Sequence, residues 1–281
     1  MNNLRLGYTE TTLLFFYYLD QKNIDNKNYI GTQLECGMQF HLINCLFISS
    51  GFYDKNISGK DHSDFNVYNI KNNSLIYHNY FDKLLTFCKK NNFHLELCFH
   101  QIDDNLLSLK EEFLQYINFN NKQPKYTLFT FIENKHILII NNLGSLMKQQ
   151  FENGNVKNIH KDFPDNVKSI QFFENGYTFF NNGPDNNIIE TANKLCNEIK
   201  KLEFDGAIIS AGAYGYLIAD FIINNLKKEA YVIGGELSFY FGINNNRSKM
   251  FHKEQINEFF IDVPLEMKPE GYEKIEGGCY W

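Results

Sequence analysis

The stretch from Phe204 to Ile243 constrains the fold more than any other part of the chain. It begins with a short apolar run, typical of a strand buried on both faces, and continues into the small-residue turn Ser210–Gly215. Apolar residues then recur at helical spacing over residues 216–228. A second apolar run follows and ends in two glycines at 234–235. This order of strand, turn, helix and strand predicts a βαβ unit of a parallel sheet.

The same alternation of strand and helix continues from Asn134 to the end of the βαβ unit, and a looser version precedes it. We therefore expect an α/β fold of Rossmann-like type, with a mostly parallel sheet and helices on both faces. The length of 281 residues fits a single domain over 1–281, with two sub-halves, 1–133 and 134–281, as an open alternative.

Some segments are less clear. Residues 126–131 predict a short strand or an extended segment, residues 95–99 a strand, and residues 244–253 a polar loop. The apolar run 42–48 fits a strand or a helix equally well, because its periodicity does not separate the two.

Composition narrows the class of protein. The net charge of −6 argues against a general nucleic-acid binder. No window approaches the about 18 consecutive apolar residues of a membrane helix, so we expect no membrane span. The N-terminus lacks a signal-peptide pattern, and the six cysteines are scattered without a CxxC pair, which indicates reduced thiols in the cytoplasm. The histidines show no metal-ligand spacing.

The glycine turns are the first candidate site. A strand that feeds a glycine turn and a helix N-terminus gathers backbone N–H groups and the positive end of the helix dipole, which favours phosphate. Tight strand-to-helix packing explains the same glycines equally well. The candidate ligand contacts are Ser210, Gly212, Ala213, Tyr214, Gly215, Gly234 and Gly235.

The charged candidates also have simpler interpretations. Arg5 and Glu10 fit a surface ion pair, and Arg247 and Lys249 fit solvated loop charges. Glu236 directly follows the second glycine turn and lies at the predicted carboxyl end of a strand, where catalytic groups often occur.

Three motifs together carry a family resemblance: LRLGYTE near the N-terminus, DGAIISAGAYG followed by VIGGELSFYFGI and a basic loop, and IEGGCYW at the end. The first is similar to an Arg-x-Gly-Asp-x-Glu opening. The chain thereby resembles the GT-D type glycosyltransferases of bacterial surface-polysaccharide clusters and giant DNA viruses. The resemblance is good over residues 134–281 and thin over residues 22–130.

The resemblance implies transfer of a sugar from a nucleotide-sugar donor to a glycan acceptor hydroxyl, in surface-polysaccharide or glycoprotein synthesis. The expected donor is a UDP-sugar, with UDP-N-acetylglucosamine as the first choice. Glu10 would be the catalytic base, with Glu236 as the second candidate. Besides the glycine turns, the donor contacts would be Arg5, Gly7, Thr9, Arg247 and Lys249, of which the last two would neutralise the leaving diphosphate.

Tyr8 stands where the family has an aspartate that helps to hold a divalent ion. Glu10 is therefore the one ligand carried over for Mn²⁺ or Mg²⁺, and we expect a partly metal-free mechanism in which cations of the protein assist the leaving group. A single base acting alone predicts inversion at the anomeric carbon. The tail Gly277–Trp281 is expected either to fold over the cleft as an aromatic sugar platform or to fray.

Two alternatives remain open. A methyltransferase would use the same glycine turn for S-adenosylmethionine, with Glu236 on the ribose hydroxyls. A non-catalytic nucleotide- or glycan-binding protein would explain the missing aspartate at Tyr8. The sequence also leaves open whether the chain forms a homo-oligomer, and, if it is viral, the cytoplasm would be that of the host.

Overall fold

The protein is described from a computed structural model. The structure describes residues 2–22, 45–47, 50–57, 74–91, 94–95, 107–117 and 127–281.

A four-stranded parallel sheet forms the centre of the described structure. Its strands are β3 (His136–Asn141), β4 (Ser169–Phe173), β5 (Gly206–Ser210) and β6 (Glu229–Val232), in the spatial order β4-β3-β5-β6. The two inner strands are short runs of apolar residues buried on both faces, as expected when helices cover both sides of a parallel sheet.

The N-terminus extends this sheet beyond β6. Asn3 forms a parallel bridge with Tyr231: the Asn3 N–H donates to Ala230 O at 3.0 Å, and the Asn3 carbonyl oxygen accepts from Val232 N–H at 2.7 Å. The chain then continues as β1 (Arg5–Leu6), which pairs in parallel with β2 (His94–Leu95). The carboxyl end of β1 therefore lies at the same edge as those of the central strands.

Helices cover both faces of the sheet. Their bounds are α1 (Tyr8–Gln21), α2 (Leu75–Lys90), α3 (Leu107–Tyr116), α4 (Leu128–Ile132), α5 (Gly144–Glu152), α6 (Asn155–Ile159), α7 (Ile188–Ile199), α8 (Gly215–Asp220), α9 (Leu237–Tyr240) and α10 (Asn246–Phe251). Two further short strands pair in parallel with each other. They are β7 (Ile243–Asn244), between α9 and α10, and β8 (Ile261–Asp262), after α10.

Successive side chains of the central strands enter different cores, as the two-residue period of a strand requires. Leu138 and Ile140 of β3 belong to one buried cluster, which includes apolar residues of α1, α2, α7 and α8. Ile137 and Ile139 belong to the other, with apolar residues of α4, α5 and α9. The predicted α/β fold, with a mostly parallel sheet and helices on both faces, is confirmed.

Two local predictions were wrong. The segment 126–131 is helical from Leu128, because the Thr127 side chain caps the helix by accepting a hydrogen bond from Thr130 N–H. The predicted polar loop 244–253 contains α10, which Asn245 caps in the same way through Ser248 N–H. In both cases a capping residue was mistaken for part of an extended or irregular segment.

The helix predicted over 216–228 is divided. A short 3₁₀ turn at Gly212–Tyr214 precedes α8, and Phe221–Asn225 continues as a π-helix.

Of the other uncertain segments, residues 45–47 are helical and residues 94–95 form β2. The remainder of the predicted segments 42–48 and 95–99 lies outside the described residues. The division into sub-halves stays a prediction. No helix in the described ranges combines the length and the apolar character needed to cross a membrane.

Candidate functional site

The candidate site lies where the strand order reverses. From β3 the chain moves outward to β4, then returns across the sheet to β5 on the other side of β3. Such a switch point leaves a crevice beyond the carboxyl ends of the two neighbouring strands, where open α/β sheets bind their ligands. Here Asn141 at the end of β3 crosses to β5, and its Nδ2 donates to Ser210 O at 3.0 Å.

A cavity of about 530 Å³ occupies this crevice, within the usual range of small-molecule sites. Among the described residues that line the cavity, the charged ones are Glu10, Glu276 and Arg247, and the others are uncharged. The lining residues are Gly7, Thr9, Glu10, Cys45, Ser50, Gly51, Asn141, Asn142, Leu143, Asn175, Gly176, Tyr177, Thr178, Phe179, Ser210, Ala211, Gly212, Tyr214, Gly235, Ser238, Asn245, Arg247, Glu276, Tyr280 and Trp281.

The first glycine turn borders the cavity but uses part of its backbone to hold itself together. Ala213 N–H donates to Ser50 O at 2.7 Å, and Tyr214 N–H donates to Ala211 O at 3.0 Å. Ala213 O accepts from the Tyr80 hydroxyl at 3.0 Å. Two of the amides proposed for a phosphate are therefore engaged inside the protein.

The glycines of this turn have different roles. Gly212 has a left-handed backbone (φ +50°) and borders the cavity, and a Cβ there would lie less than 3.0 Å from Ser50 O. Gly215 and Ala213 are not among the lining residues. Gly215 begins α8, where a Cβ would make only an ordinary 3.8 Å contact with Val232. Tyr214 is 2 % exposed and packs in the core. It borders the cavity, but its ring is not open for a base or sugar to stack on.

The opening motif places Gly7, Thr9 and Glu10 in the cavity wall, at the start of α1. A Cβ at Gly7 would lie 2.6 Å from Glu10 Oε2, so the glycine makes room for the carboxylate. Burial raises the pKa of the Glu10 carboxyl above its ordinary value, and the nearby charge of Glu276 adds to this, against a lowering backbone hydrogen bond. Glu10 thus has the direction of pKa shift that favours a general base.

Arg5, Gly234 and Glu236 lie together outside the lining of the cavity. Arg5 Nη1 is 3.8 Å from Glu236 Oε2, so Arg5 forms an ion pair with Glu236, a partner that the sequence did not indicate. A Cβ at Gly234 would lie 3.3 Å from Arg5 Nη1, which shows how closely the guanidinium approaches this turn. Glu236 borders a small groove beside α10, and its side chain is 44 % exposed. Its predicted catalytic role has no support from this position.

The two predicted cations of the late segment separate. Arg247 lines the cavity, and its backbone N–H donates to Cys279 O at 2.8 Å. Lys249 instead points to Asp262, with Nζ 3.3 Å from Oδ1, and is absent from the described lining. Helix α10 explains the separation, because residues two positions apart lie on different sides of a helix.

The tail folds back over the cavity. Trp281 is 4 % exposed, and its Nε1 donates to the Tyr177 hydroxyl at 3.1 Å. Tyr280 borders the cavity against Gly235, and its hydroxyl donates to Glu276 Oε2 at 3.1 Å. Of the two expectations for the tail, the folded tail at the cleft agrees with the structure, and the aromatic sugar platform stays a prediction.

Two parts of the site were missed at the sequence level. Glu276 belongs to the closing motif, where its place before two glycines was the available signal. The segment after β4 supplies Asn175, Tyr177 and Thr178. Its position after a strand of the parallel sheet could have indicated the same edge.

The residues present can accept a divalent ion only with help from a substrate. The described part of the chain holds no group of three or more His, Cys, Asp or Glu side chains suited to a metal. Glu10 and Glu276 are the two carboxylates among the described lining residues. Mg²⁺ commonly binds through one or two carboxylates plus substrate phosphates, so these two would hold the ion if a diphosphate bound it as well.

Comparison with known proteins adds no assignment: no family model, curated protein or solved structure matches the chain.

Proposed function

We propose that the chain is a glycosyltransferase that moves a sugar from a UDP-sugar to a hydroxyl of a glycan acceptor. The observation that carries the proposal is the cavity at the strand switch point, which brings Glu10 and Arg247 into one lining. A group that accepts a proton and a cation that neutralises a leaving group are the two elements that this transfer needs. The resemblance of the three motifs to GT-D type enzymes supports the same class.

The proposed reaction is a single displacement. Glu10 takes the proton of the acceptor hydroxyl, whose oxygen forms a bond to the anomeric carbon of the donor. The bond between that carbon and the phosphate oxygen breaks, and the electron pair leaves with the diphosphate. Arg247 lies in the cavity wall and balances the charge that develops there. With one base acting alone, the configuration of the anomeric carbon inverts.

A divalent ion would supply further charge neutralisation at the diphosphate when bound, with Glu10 and Glu276 as its ligands. Because Tyr8 replaces an aspartate of the related motif, we propose that transfer persists in part without the ion. Release of UDP should therefore continue at a reduced rate in EDTA. Complete loss of activity, restored by Mn²⁺, would contradict the partly metal-free mechanism.

The methyltransferase alternative loses its sequence support. It needed Glu236 on the ribose hydroxyls of S-adenosylmethionine, but Glu236 pairs with Arg5 and is not among the cavity-lining residues.

The proposed place of action, by resemblance, is the cytoplasm, in the assembly of surface polysaccharide or glycoprotein.

Thermal shift with UDP, UDP-sugars, GDP-sugars and S-adenosylmethionine tests the proposal. Stabilisation by UDP or a UDP-sugar is the expected result, with UDP-N-acetylglucosamine as the first donor to try. Stabilisation by S-adenosylmethionine and by no nucleotide would refute it.

Turnover then separates an enzyme from a binding protein. Wild-type protein should release UDP from a UDP-sugar, whereas Glu10→Gln should bind UDP as before but release it at least about 100-fold more slowly, since general base catalysis contributes roughly 10²–10⁴-fold. Equal rates for the two proteins would remove Glu10 from the mechanism. Binding without turnover in wild-type protein would indicate a nucleotide-binding protein.

A further inference from the structure

The C-terminal tail has a shape that a simple packing role does not require. Glu276, Gly277 and Gly278 have φ angles of +49°, +67° and +71°, three successive residues in the left-handed region. Glycine adopts this conformation without cost, but a glutamate does so against steric resistance. Such strain tends to persist where a side chain is held in place for function.

The strained turn brings the exposed Glu276 side chain to the cavity wall, where the Tyr280 hydroxyl contacts it. Oε2 accepts a hydrogen bond from the Tyr280 hydroxyl at 3.1 Å. The Tyr280 ring in turn packs on Gly235, where a Cβ would lie 3.0 Å from Cε1, and the Arg247 guanidinium lies 6.0 Å from its centroid. Tyr280 therefore contacts both Glu276 and Arg247, the cation proposed to neutralise the diphosphate.

The rest of the tail is anchored well enough to hold this arrangement. Asn246 Nδ2 donates to Gly278 O at 3.2 Å, and Arg247 N–H donates to Cys279 O. The Trp281 indole is buried and hydrogen-bonded to Tyr177 on the segment after β4. The tail thus bridges α10 and the β4 side of the sheet.

A carboxylate oriented beside an aromatic ring is suited to the hydroxyl groups of a sugar, since it accepts charge-assisted hydrogen bonds from O–H donors. The sugar of a nucleotide-sugar is attached directly to the diphosphate, and so it would occupy the space next to Arg247. Glu10 lines the same cavity, and the charge of Glu276 contributes to raising the pKa of the Glu10 carboxyl.

We infer that Glu276 is the residue that recognises the hydroxyl groups of the transferred sugar, and that the tail is the sugar-binding wall of the cavity. This inference rests on the proposed function and extends it to the part of the donor beyond the diphosphate. It gives Glu276 a role in binding, separate from the proton transfer at Glu10. It also explains why a glutamate occupies a position that the backbone would favour as glycine.

The test compares, in EDTA so that Glu276 holds no divalent ion at the diphosphate, the affinity for UDP with that for UDP-N-acetylglucosamine, UDP-glucose and UDP-galactose by isothermal titration calorimetry. The measured quantity is the dissociation constant of the UDP-sugar divided by the dissociation constant of UDP. In Glu276→Gln this ratio should rise about 10- to 100-fold for the sugar that wild-type protein prefers, the effect of removing a charged acceptor. The affinity for UDP itself should change less than about threefold.

Two further variants separate recognition from folding. Glu276→Gly relieves the left-handed strain, so its melting temperature should equal or exceed that of wild-type protein, while its ratio rises as in Glu276→Gln. Glu273→Gln is the matched control, because Glu273 is an acid of the same tail that is exposed like Glu276 but is absent from the cavity lining. Its ratio should stay at the wild-type value.

The outcomes are distinguishable. An unchanged ratio in Glu276→Gln, or an equal loss of affinity for UDP and the UDP-sugar, overturns the role of Glu276 and leaves the proposed function intact. If neither UDP nor any of the three UDP-sugars binds wild-type protein, the proposed function fails and the role of Glu276 fails with it.

Discussion

Gly212→Ala tests whether the first glycine turn is held by its approach to Ser50. Gly212 has a φ of +50°, which costs an alanine about 1 kcal/mol by strain alone. The new Cβ would also lie less than 3.0 Å from Ser50 O, the acceptor of the 2.7 Å hydrogen bond from Ala213 N–H. Loss of that bond costs about 1 kcal/mol, and the displaced backbone adds about 1 kcal/mol of overpacking. The variant should therefore lose about 3 kcal/mol of unfolding free energy.

Gly154→Ala is the matched control. Gly154 is also left-handed, with a φ of +75°, but nothing in the described part of the chain lies within 4 Å of a Cβ there. Its alanine variant should lose only the strain, about 1 kcal/mol. Urea denaturation of both variants, followed by circular dichroism, measures the difference, expected to be about 2 kcal/mol. Equal losses in the two variants would refute the argument that the contact with Ser50 positions the turn.

Three further predictions concern the charged groups and the tail. The pKa of Glu10 is raised from its ordinary 4.5, so the folded state binds the proton more tightly and loses stability as pH rises from 4.5 through the folded-state pKa. Glu10→Gln should accordingly melt higher than wild-type protein at neutral pH, with the difference vanishing below pH 4.5. Trp281→Ala should lose about 3–5 kcal/mol in urea denaturation, because it empties a buried aromatic site; a loss below about 1 kcal/mol would mean that the tail is not anchored there. Arg247→Ala should weaken UDP binding at least about tenfold in calorimetry, as expected for a charge-assisted contact, whereas Lys249→Ala should leave it unchanged because Lys249 pairs with Asp262 outside the cavity lining. Equal effects of these last two variants would contradict the assignment of Arg247 to the diphosphate.

The central sheet could be predicted because its signals are local. Each inner strand is a continuous apolar run followed by a turn, and the helices between them repeat apolar residues at helical spacing. The handedness of βαβ connections then restricts the arrangement to a doubly covered parallel sheet. Gly7, Thr9, Glu10, Ser210 and Gly212 line the cavity for the same reason, since each follows or ends a strand, and their roles stay predictions.

The assignment of charges to partners could not be predicted, since it depends on contacts between distant parts of the chain. The sequence shows Arg5 and Glu10 close together, but the pairing of Asn3 with Tyr231 of β6 brings Arg5 to Glu236. Lys249 and Arg247 look equivalent in sequence, and the helix α10 that separates them was hidden by its polar composition. No local pattern contains these pairings.

The site depends on both ends of the described chain, and this dependence links its stability to its function. Glu10 follows the N-terminal segment in which Asn3 pairs with Tyr231 of β6, and Glu276 lies in the tail that the buried Trp281 anchors. Terminal segments are the parts of a fold that open at the lowest free energy unless they are anchored. A ligand that contacts both carboxylates would therefore protect both ends from opening, with a stabilisation of about 2.7 kcal/mol at 100 times its dissociation constant. Hydrogen exchange of the amides at Asn3 and Trp281 should slow together when the ligand binds, and slowing at one end alone would show that the two walls do not bind it jointly.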